Sequence, residues 1–270
     1  MTAVEISVVV PLFNEEDNVQ PLLDELLPVL AGITAHFEVL LIDDGSTDTT
    51  AQRIAENVRQ HPQIIRHLSM RQNTGQTAAI EAGFRASLGR LLVMMDGDLQ
   101  VDSQDIPMMI EKTKEFDLVH GWRWQRKDTP FKRLQTAVAN GVRNRLTKSD
   151  VRDTGCPLKV FRREVVESFK LYTGMHRFFV TLARMEGFST CEVKVKHRPR
   201  FAGVSKYGMW NRVFRAFRDL FAIRWMMARR YRLDFEEIEA PAEKSKGANP
   251  VTESANGNSG EDLEISTPGC

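Results

Sequence analysis

The chain has 270 residues, 42% hydrophobic and 27% charged, with 17 Gly and 11 Pro; this is enough to bury one or two cores and excludes collagen-like, coiled-coil and low-complexity classes. The net charge of +1 hides a division, because from Asp234 onward nine acids face only Lys244 and Lys246, leaving 35 basic and 27 acidic residues before them. A basic body with an acidic tail is expected to meet an anion such as phosphate, lipid headgroup or nucleic acid.

In chain order, the first half alternates short apolar runs with helical patterns. The runs are Ile6 to Val10, Phe37 to Ile42, Ile64 to Leu68, Leu91 to Met95 and Leu118 to Val119. Continuous apolar strands separated by helices predict a mostly parallel sheet covered on both faces. Asn18 to Leu30, Thr49 to Arg59 and Thr77 to Ser87 read as those helices. Ser46, Thr47 and Asp48 are available to cap the second, and Pro28 is expected to bend or end the first. The fold class is therefore α/β, Rossmann-like and doubly wound, in which ligands sit outside the carboxyl ends of the strands.

The residues at those ends are Pro11 to Glu15, then Asp43, Asp44, Gly45 and Ser46, then Asn73, Gly75 and Gln76, then Asp96-Gly97-Asp98. Turn residues end strands anyway, but four such ends bearing carboxylates, amides and glycines on one rim point to a ligand. Asp96 and Asp98 leave a buried strand as alternate carboxylates, suited to a hard divalent cation that bridges diphosphate oxygens, with Gln100 able to add a carbonyl oxygen. Capping explains Ser46 or Asp48 but not the adjacent acids Asp43 and Asp44; Asp43 is read as a carboxylate that accepts from a nucleotide base.

Further along, Arg123 and Arg126 alternate with Trp122 and Trp124, a pattern suited to bidentate phosphate contact. His176, Arg177, His197 and Arg198 show no HxH or ExxH metal spacing. From Ser205 to Leu233, Trp210, Phe214, Phe217, Phe221 and Trp225 recur at steps of three or four, and Arg212, Arg215, Arg218, Arg229 and Arg230 occupy much of the remaining surface. Such a helix can pack on the main domain, bind nucleic acid, or lie in a membrane interface, and the aromatic apolar face with a basic polar face favours the interface. Residues 234–270 are polar, acidic and nearly free of aromatics, so they are expected to be disordered. Three scattered cysteines, Cys156, Cys191 and Cys270, suit a reducing compartment. The opening MTAVEISVVVPLFNEE lacks the pattern of a signal peptide, and no apolar run is long enough to span a bilayer.

SVVVPLFNEE, LLIDDGSTDTT, NTGQTAAIEAGFRAS and MDGDLQ resemble the successive motifs of inverting family-2 glycosyltransferases of the GT-A fold. GWRWQR, RDTGCPLKVFRREV, HRF and HRPRFAGVSKYG resemble those of the dolichyl- or polyprenyl-phosphate sugar synthases, the dolichyl-phosphate mannose synthase type being the nearest. The resemblance implies a catalytic domain over residues 1–205, followed by the interfacial helix at 206–233 and the tail. It implies that Pro11, Phe13, Glu15, Asp43, Asp44 and Gln76 surround the nucleotide, that Asp96, Asp98 and Gln100 hold Mg²⁺ or Mn²⁺, that Arg123 and Arg126 lie near the phosphates, and that Arg200, Ser205 and Lys206 close over the site.

Phe13 stands where the family usually has Tyr, which keeps a stacking face and drops a hydroxyl. Cys156 stands where some relatives have an acid, leaving Asp153 as the nearest candidate base. The implied reaction moves one mannose- or glucose-type sugar from a GDP- or UDP-sugar to a polyprenyl phosphate at the cytosolic membrane surface, without nucleic acid. A lipid monophosphate is largely ionised at pH 7, so neutralising charge matters more than a strong base. Transfer to a saccharide or protein hydroxyl, and a non-catalytic membrane-docked binding role, are the alternatives.

Overall fold

The computed structural model describes residues 3–124, 141, 143–146, 150–199 and 209–231, without the side chains of 209–217. Met1–Arg230 forms one compact unit and Tyr231–Cys270 a second, of which Tyr231 alone is described. The predicted tail therefore lies outside the described residues.

The unit is built on a mixed sheet. Strands β1 (Ile6–Leu12), β2 (Phe37–Asp43), β3 (Ile65–Ser69), β4 (Leu91–Met94), β5 (Leu118–Arg123), β6 (Lys159–Arg162) and β7 (Thr190–Val195) lie in the order β3-β2-β1-β4-β6-β5-β7. The first four pair in parallel, β6 runs antiparallel to both β4 and β5, and β7 is parallel to β5. The predicted runs correspond to strands within a residue or two, except that β5 continues four residues past Val119. Strands β6 and β7 have no counterpart in the sequence reading, for β6 opens on a lysine and β7 is mostly half-buried.

Helices α1 (Val19–Ala31), α2 (Thr50–Gln60) and α3 (Gln76–Ala86) link the first strands, and α4 (Ile106–Lys112), α5 (Arg163–Glu167), α6 (Phe179–Met185) and α7 (Met209–Arg229) follow. Pro28 lies inside α1, which runs on for three residues beyond it. The cap position of α2 falls to Thr49 rather than to any of the three proposed caps; Asp48, one residue before it, accepts on Oδ1 from Thr50 N at 2.9 Å.

Alternate strand residues feed two cores. Val8, Val10, Val39, Leu41 and Val93 pack with Leu22, Leu23 and Leu26 of α1; Val9, Leu40, Ile42, Leu92 and Met94 pack with Ile80 and Phe84 of α3 and Phe179 of α6. Both faces being covered, the strands read as unbroken apolar runs. The buried acid of β2, Glu38, is satisfied at the opposite end from the rim, accepting from Ser7 Oγ, Leu88 N and Arg66 Nη1, each at 2.6 Å. The chain leaves β1 toward β2 and β3 on one side and returns to β4 on the other, so the switch point lies between the carboxyl ends of β1 and β4.

Among the described residues of α7, Leu220 and Ile223 are buried in the core and Met226 and Met227 pack against it. Phe221 and Trp225, part of the predicted aromatic stripe, are 61% and 63% exposed. The aromatic stripe and the packing face are thus different faces over the described part of the helix.

Candidate active site

The rim is assembled from three loops that hold one another. After β1, Asn14 takes φ 52° and its amide donates to Ser46 Oγ at 2.9 Å, while Thr47 N donates to Asn14 Oδ1 at 2.7 Å. Glu15 N donates to Thr50 Oγ1 at 2.8 Å, and the Glu15 carboxylate accepts from Asn18 Nδ2. Pro11, in β1 opposite Ile42, and Phe13 just beyond it are half-buried. The residues expected to surround a nucleotide therefore stand together at the ends of β1 and β2.

Asp43 ends β2 buried, with Oδ1 accepting from Ser46 N at 2.9 Å. Asp44 has another task. Its two oxygens accept from Thr74 N at 2.8 Å and Gly75 N at 2.9 Å, so it ties the loop before α3 to the end of β2. Gly45 between the loops has φ +70°, and a Cβ there would lie 2.6 Å from Asn73 N, so only glycine fits this crossing.

Gln76, at the start of α3, donates from Nε2 to Asp96 Oδ1 at 2.8 Å, which ties it to an acid of the DGD loop. Asp98 is buried and its Oδ1 accepts from Gln100 N at 3.2 Å. Between the acids, a Cβ on Gly97 would lie 2.2 Å from Leu12 Cδ2, which shows how closely this loop crosses the end of β1 at the switch point. Leu99 completes the turn at φ 58°. The main-chain carbonyl of Gln100 accepts from Arg198 N at 2.8 Å, leaving its side-chain amide as the group suited to the predicted metal contact.

Among the described residues no group of three or more His, Cys, Asp or Glu forms a metal cage. Two carboxylates at a strand exit still fit Mg²⁺ or Mn²⁺, because such ions take one or two protein carboxylates and complete their shell with substrate phosphates and water.

Arg123 and Asp153, assigned separate tasks in the sequence, are one ion pair. Arg123 Nε donates to Asp153 Oδ2 at 2.7 Å and Nη2 to Oδ1 at 2.9 Å. Burial opposes the charge on Arg123, but the hydrogen bonds and field of Asp153, with that of Asp96, raise its pKa above the ordinary value. Cys156 beneath is buried, its thiol pushed up to about 11 mainly by desolvation, so it is no thiolate. Arg126, Arg200, Ser205 and Lys206 lie outside the described residues. The chain leading to Arg200 is nonetheless anchored beside the DGD loop, by the Val101–His197 bridge and by Arg198, whose Nη2 meets Asp102 Oδ2 and Nη1 meets Glu25 Oε2, both at 2.6 Å.

Two charged residues of the rim, one buried and one half-buried, escaped the sequence reading. Lys159 opens β6 at 2% exposure and donates to the Cys156 carbonyl; burial lowers its pKa, against the fields of Cys156, Asp153 and Asp96. Glu192 of β7 accepts on Oε1 from Arg152 N at 2.9 Å and Asp153 N at 3.1 Å. The only sequence signal was a lysine inside the otherwise apolar CPLKVF.

Comparison with known proteins places this rim in context. The chain is 38% identical over 230 residues to a dodecaprenyl-phosphate galacturonate synthase of Rhizobium johnstonii, covering 83% of this chain and 68% of that protein. It is 32% identical to an undecaprenyl-phosphate 4-deoxy-4-formamido-L-arabinose transferase of Edwardsiella ictaluri, covering 76% and 63%, and so spans less than two thirds of the latter. In fold it is similar to glucosyl-3-phosphoglycerate synthase of Mycobacterium tuberculosis, solved with Mn²⁺, UDP and glucosyl-3-phosphoglycerate, with TM-score 0.64, 19% identity, and coverage of 83% and 80%. It is also similar to a mannosyltransferase of Pyrobaculum calidifontis solved with GDP-Man and Mn²⁺, with TM-score 0.57, 16% identity, and coverage of 84% and 65%. These likenesses establish the GT-A fold. The profile of glycosyl transferase family 2 matches residues 7–169, a span that runs from β1 through β6 and holds the acids of the rim, Arg123 and Asp153 alike; the chain belongs to that family.

Proposed function

We propose that this protein transfers one sugar, with inversion, from a nucleotide-diphosphate sugar to a polyprenyl phosphate at a membrane surface. The observation that carries the reading is the gathering of Asp43, Asp96, Asp98 and the Arg123–Asp153 pair at one rim, in a chain whose relatives are named for polyprenyl-phosphate sugars. Phe13 offers a stacking face and Asp43 an acceptor for a base N–H. Asp96, Asp98 and the Gln100 side chain would hold Mg²⁺ or Mn²⁺, and such an ion supplies positive charge to the leaving diphosphate.

The chemistry asks little base strength of the protein. An acceptor phosphate oxygen, ionised at neutral pH, attacks the anomeric carbon from the face opposite the diphosphate; the bond from that carbon to the diphosphate oxygen breaks, and the leaving group takes the electron pair. Two anions must be brought together, so the dominant need is preorganised positive charge. Arg123 provides it from a fixed position, with Arg126, Arg200 and Lys206 proposed to join it and Ser205 to contact the donor. Asp153 serves by holding Arg123.

The acceptor lives in a bilayer, and α7 suits a peripheral contact with the cytosolic leaflet. No helix among the described residues is long and apolar enough to cross a membrane. Exposed Phe221 and Trp225 alternate with exposed Arg218, Arg224 and Arg229, beside a groove of about 410 Å³ lined in part by Tyr172, Met175, Phe178 and Met226. Aromatics at the acyl boundary and arginines among anionic headgroups are the chemistry of an interfacial helix.

The test is incubation of the purified protein with Mn²⁺ or Mg²⁺, undecaprenyl phosphate and a panel of UDP- and GDP-linked sugars that includes mannose, glucose, galacturonate and 4-amino-pentose derivatives. Formation of a glycolipid with one donor, abolished in a folded Asp98→Ala variant, is expected. Absence of any glycolipid across the panel, or full turnover by Asp98→Ala, overturns the reading.

A further inference from the structure

Beneath the rim, Met94, Lys159, His120 and Glu192 stand opposite one another on four neighbouring strands, β4, β6, β5 and β7. Residues directly opposite in paired strands project from the same face, so one apolar face of the sheet carries a row of three polar side chains. Lys159 and His120 are fully buried and Glu192 is half-buried. A buried ammonium and a half-buried carboxylate are costly unless their partners are fixed, and each of these finds its partners in one short turn.

That turn spans residues 152–156. At its start Glu192 Oε1 accepts the amides of Arg152 and Asp153, at 2.9 and 3.1 Å; at its end the Lys159 ammonium donates to the Cys156 carbonyl. Between those points the Asp153 carboxylate reaches up to the fork of Arg123 and also accepts Arg123 N at 3.3 Å. Burial pushes the Glu192 carboxyl up and the Lys159 ammonium down, opposed in the latter by the fields of Asp153 and Asp96. Purely structural needs at this depth would be met at less cost by apolar side chains.

We propose that Glu192 and Lys159 are positioning residues, a buried cradle that grips the 152–156 turn at both ends and so sets where the Arg123–Asp153 pair stands. The inference rests on the proposed function of that pair, and it adds a route by which β6 and β7 act on phosphate chemistry. His120 fills the row between them.

The experiment compares Glu192→Leu, Glu192→Gln, Lys159→Met and Arg123→Met in the full chain, with undecaprenyl phosphate and the donor that supports turnover. The readouts are kcat, KM for each substrate, binding of free UDP or GDP, thermal midpoint, and hydrogen exchange of the Asp153 amide. Glu192→Leu and Lys159→Met are expected to lower kcat roughly ten- to hundredfold, the scale of a misplaced catalytic contact, with nucleotide binding unchanged. Lys159→Met should keep or raise the thermal midpoint, since it replaces a buried charge by an apolar chain of similar length. Glu192→Gln, which retains a carbonyl acceptor, should recover turnover to within about threefold of the parent and keep the Asp153 amide protected, whereas Glu192→Leu should expose it.

Parental kcat in Lys159→Met and Glu192→Leu beside an impaired Arg123→Met overturns the cradle and leaves the site standing. Loss of kcat only in step with a lower thermal midpoint, with Asp153 exchange unchanged, overturns it too. Parental turnover in Arg123→Met overturns the reading of the site itself.

Discussion

Arg123 and Asp153 face each other as a two-pronged ion pair, 2.7 and 2.9 Å across its arms, with the side chains only 15% and 10% exposed. Thirty residues of chain separate them, and the pair holds one rigid positive group at the edge of the rim. Planar two-point pairing is specific to the guanidinium, so Arg123→Lys should lower kcat at least roughly tenfold although the charge is kept. In a double-mutant cycle, Arg123→Ala and Asp153→Ala should be far from additive in turnover, with a coupling of about 1–3 kcal/mol. Additive losses would dissolve the pair as a functional unit.

Gly97 tests the close crossing at the switch point. Alanine there meets Leu12 Cδ2 at 2.2 Å, and overpacking of this kind costs about 1–3 kcal/mol. Gly97→Ala should lower the thermal midpoint and turnover together, and the second change Leu12→Val should restore part of both. A Gly97→Ala protein with parental midpoint would show that the loop has room.

Asp44 is predicted to act on the loop before α3. Asp44→Asn can keep one of the two amides of Thr74 and Gly75 but not both as acceptor contacts, leaving a partly buried amide unpaired at a cost of about 1–3 kcal/mol. Calorimetry should record that loss. Because Gln76 follows directly and holds Asp96, donor binding should weaken as well; an unchanged donor affinity would separate Asp44 from the site.

Two histidines give the protein an acid limit. Burial, reinforced by Lys159 and Arg184, pushes His120 down to about 3; burial, with Arg177 and Lys159, does the same to His176, whose Nδ1 lies 2.7 Å from Thr77 Oγ1. An unfolded histidine takes up a proton below about 6.5. Between that value and about 3 the unfolded chain binds more protons, so stability falls as pH falls, by up to about 1.4 kcal/mol per pH unit for each residue. The thermal midpoint should drop from pH 7.5 to pH 5, and His176→Asn should flatten the drop; an equal drop in that variant would remove His176 as a cause.

Phe221 and Trp225 are exposed on a helix that packs on the core through Leu220, Ile223, Met226 and Met227. Replacing both aromatics by Ser should leave the thermal midpoint unchanged and reduce co-sedimentation with anionic liposomes at least roughly tenfold, given the hydrophobic contribution of two aromatic side chains. Unchanged sedimentation would move the membrane contact elsewhere.

The apolar runs of β1, β2 and β4 and the acids that follow them were legible in the sequence because each is a local pattern: a strand covered on both faces has no polar alternation, and its exit is marked by glycine and aspartate. Asp43, Asp96 and Asp98 were placed at strand exits that way, and the order of the motifs indicated the family. Partnership was not local. Gln76 reaches Asp96 across a helix start, Asp44 serves a loop thirty residues on, and Arg123 finds Asp153 because β6 turns back antiparallel between β4 and β5. The lysine of CPLKVF carries no sign of its depth, since a four-residue strand reads the same at a sheet's edge or its centre. Register decided that Lys159, His120 and Glu192 share one row, and register is set by the packing of the whole sheet rather than by any segment within it.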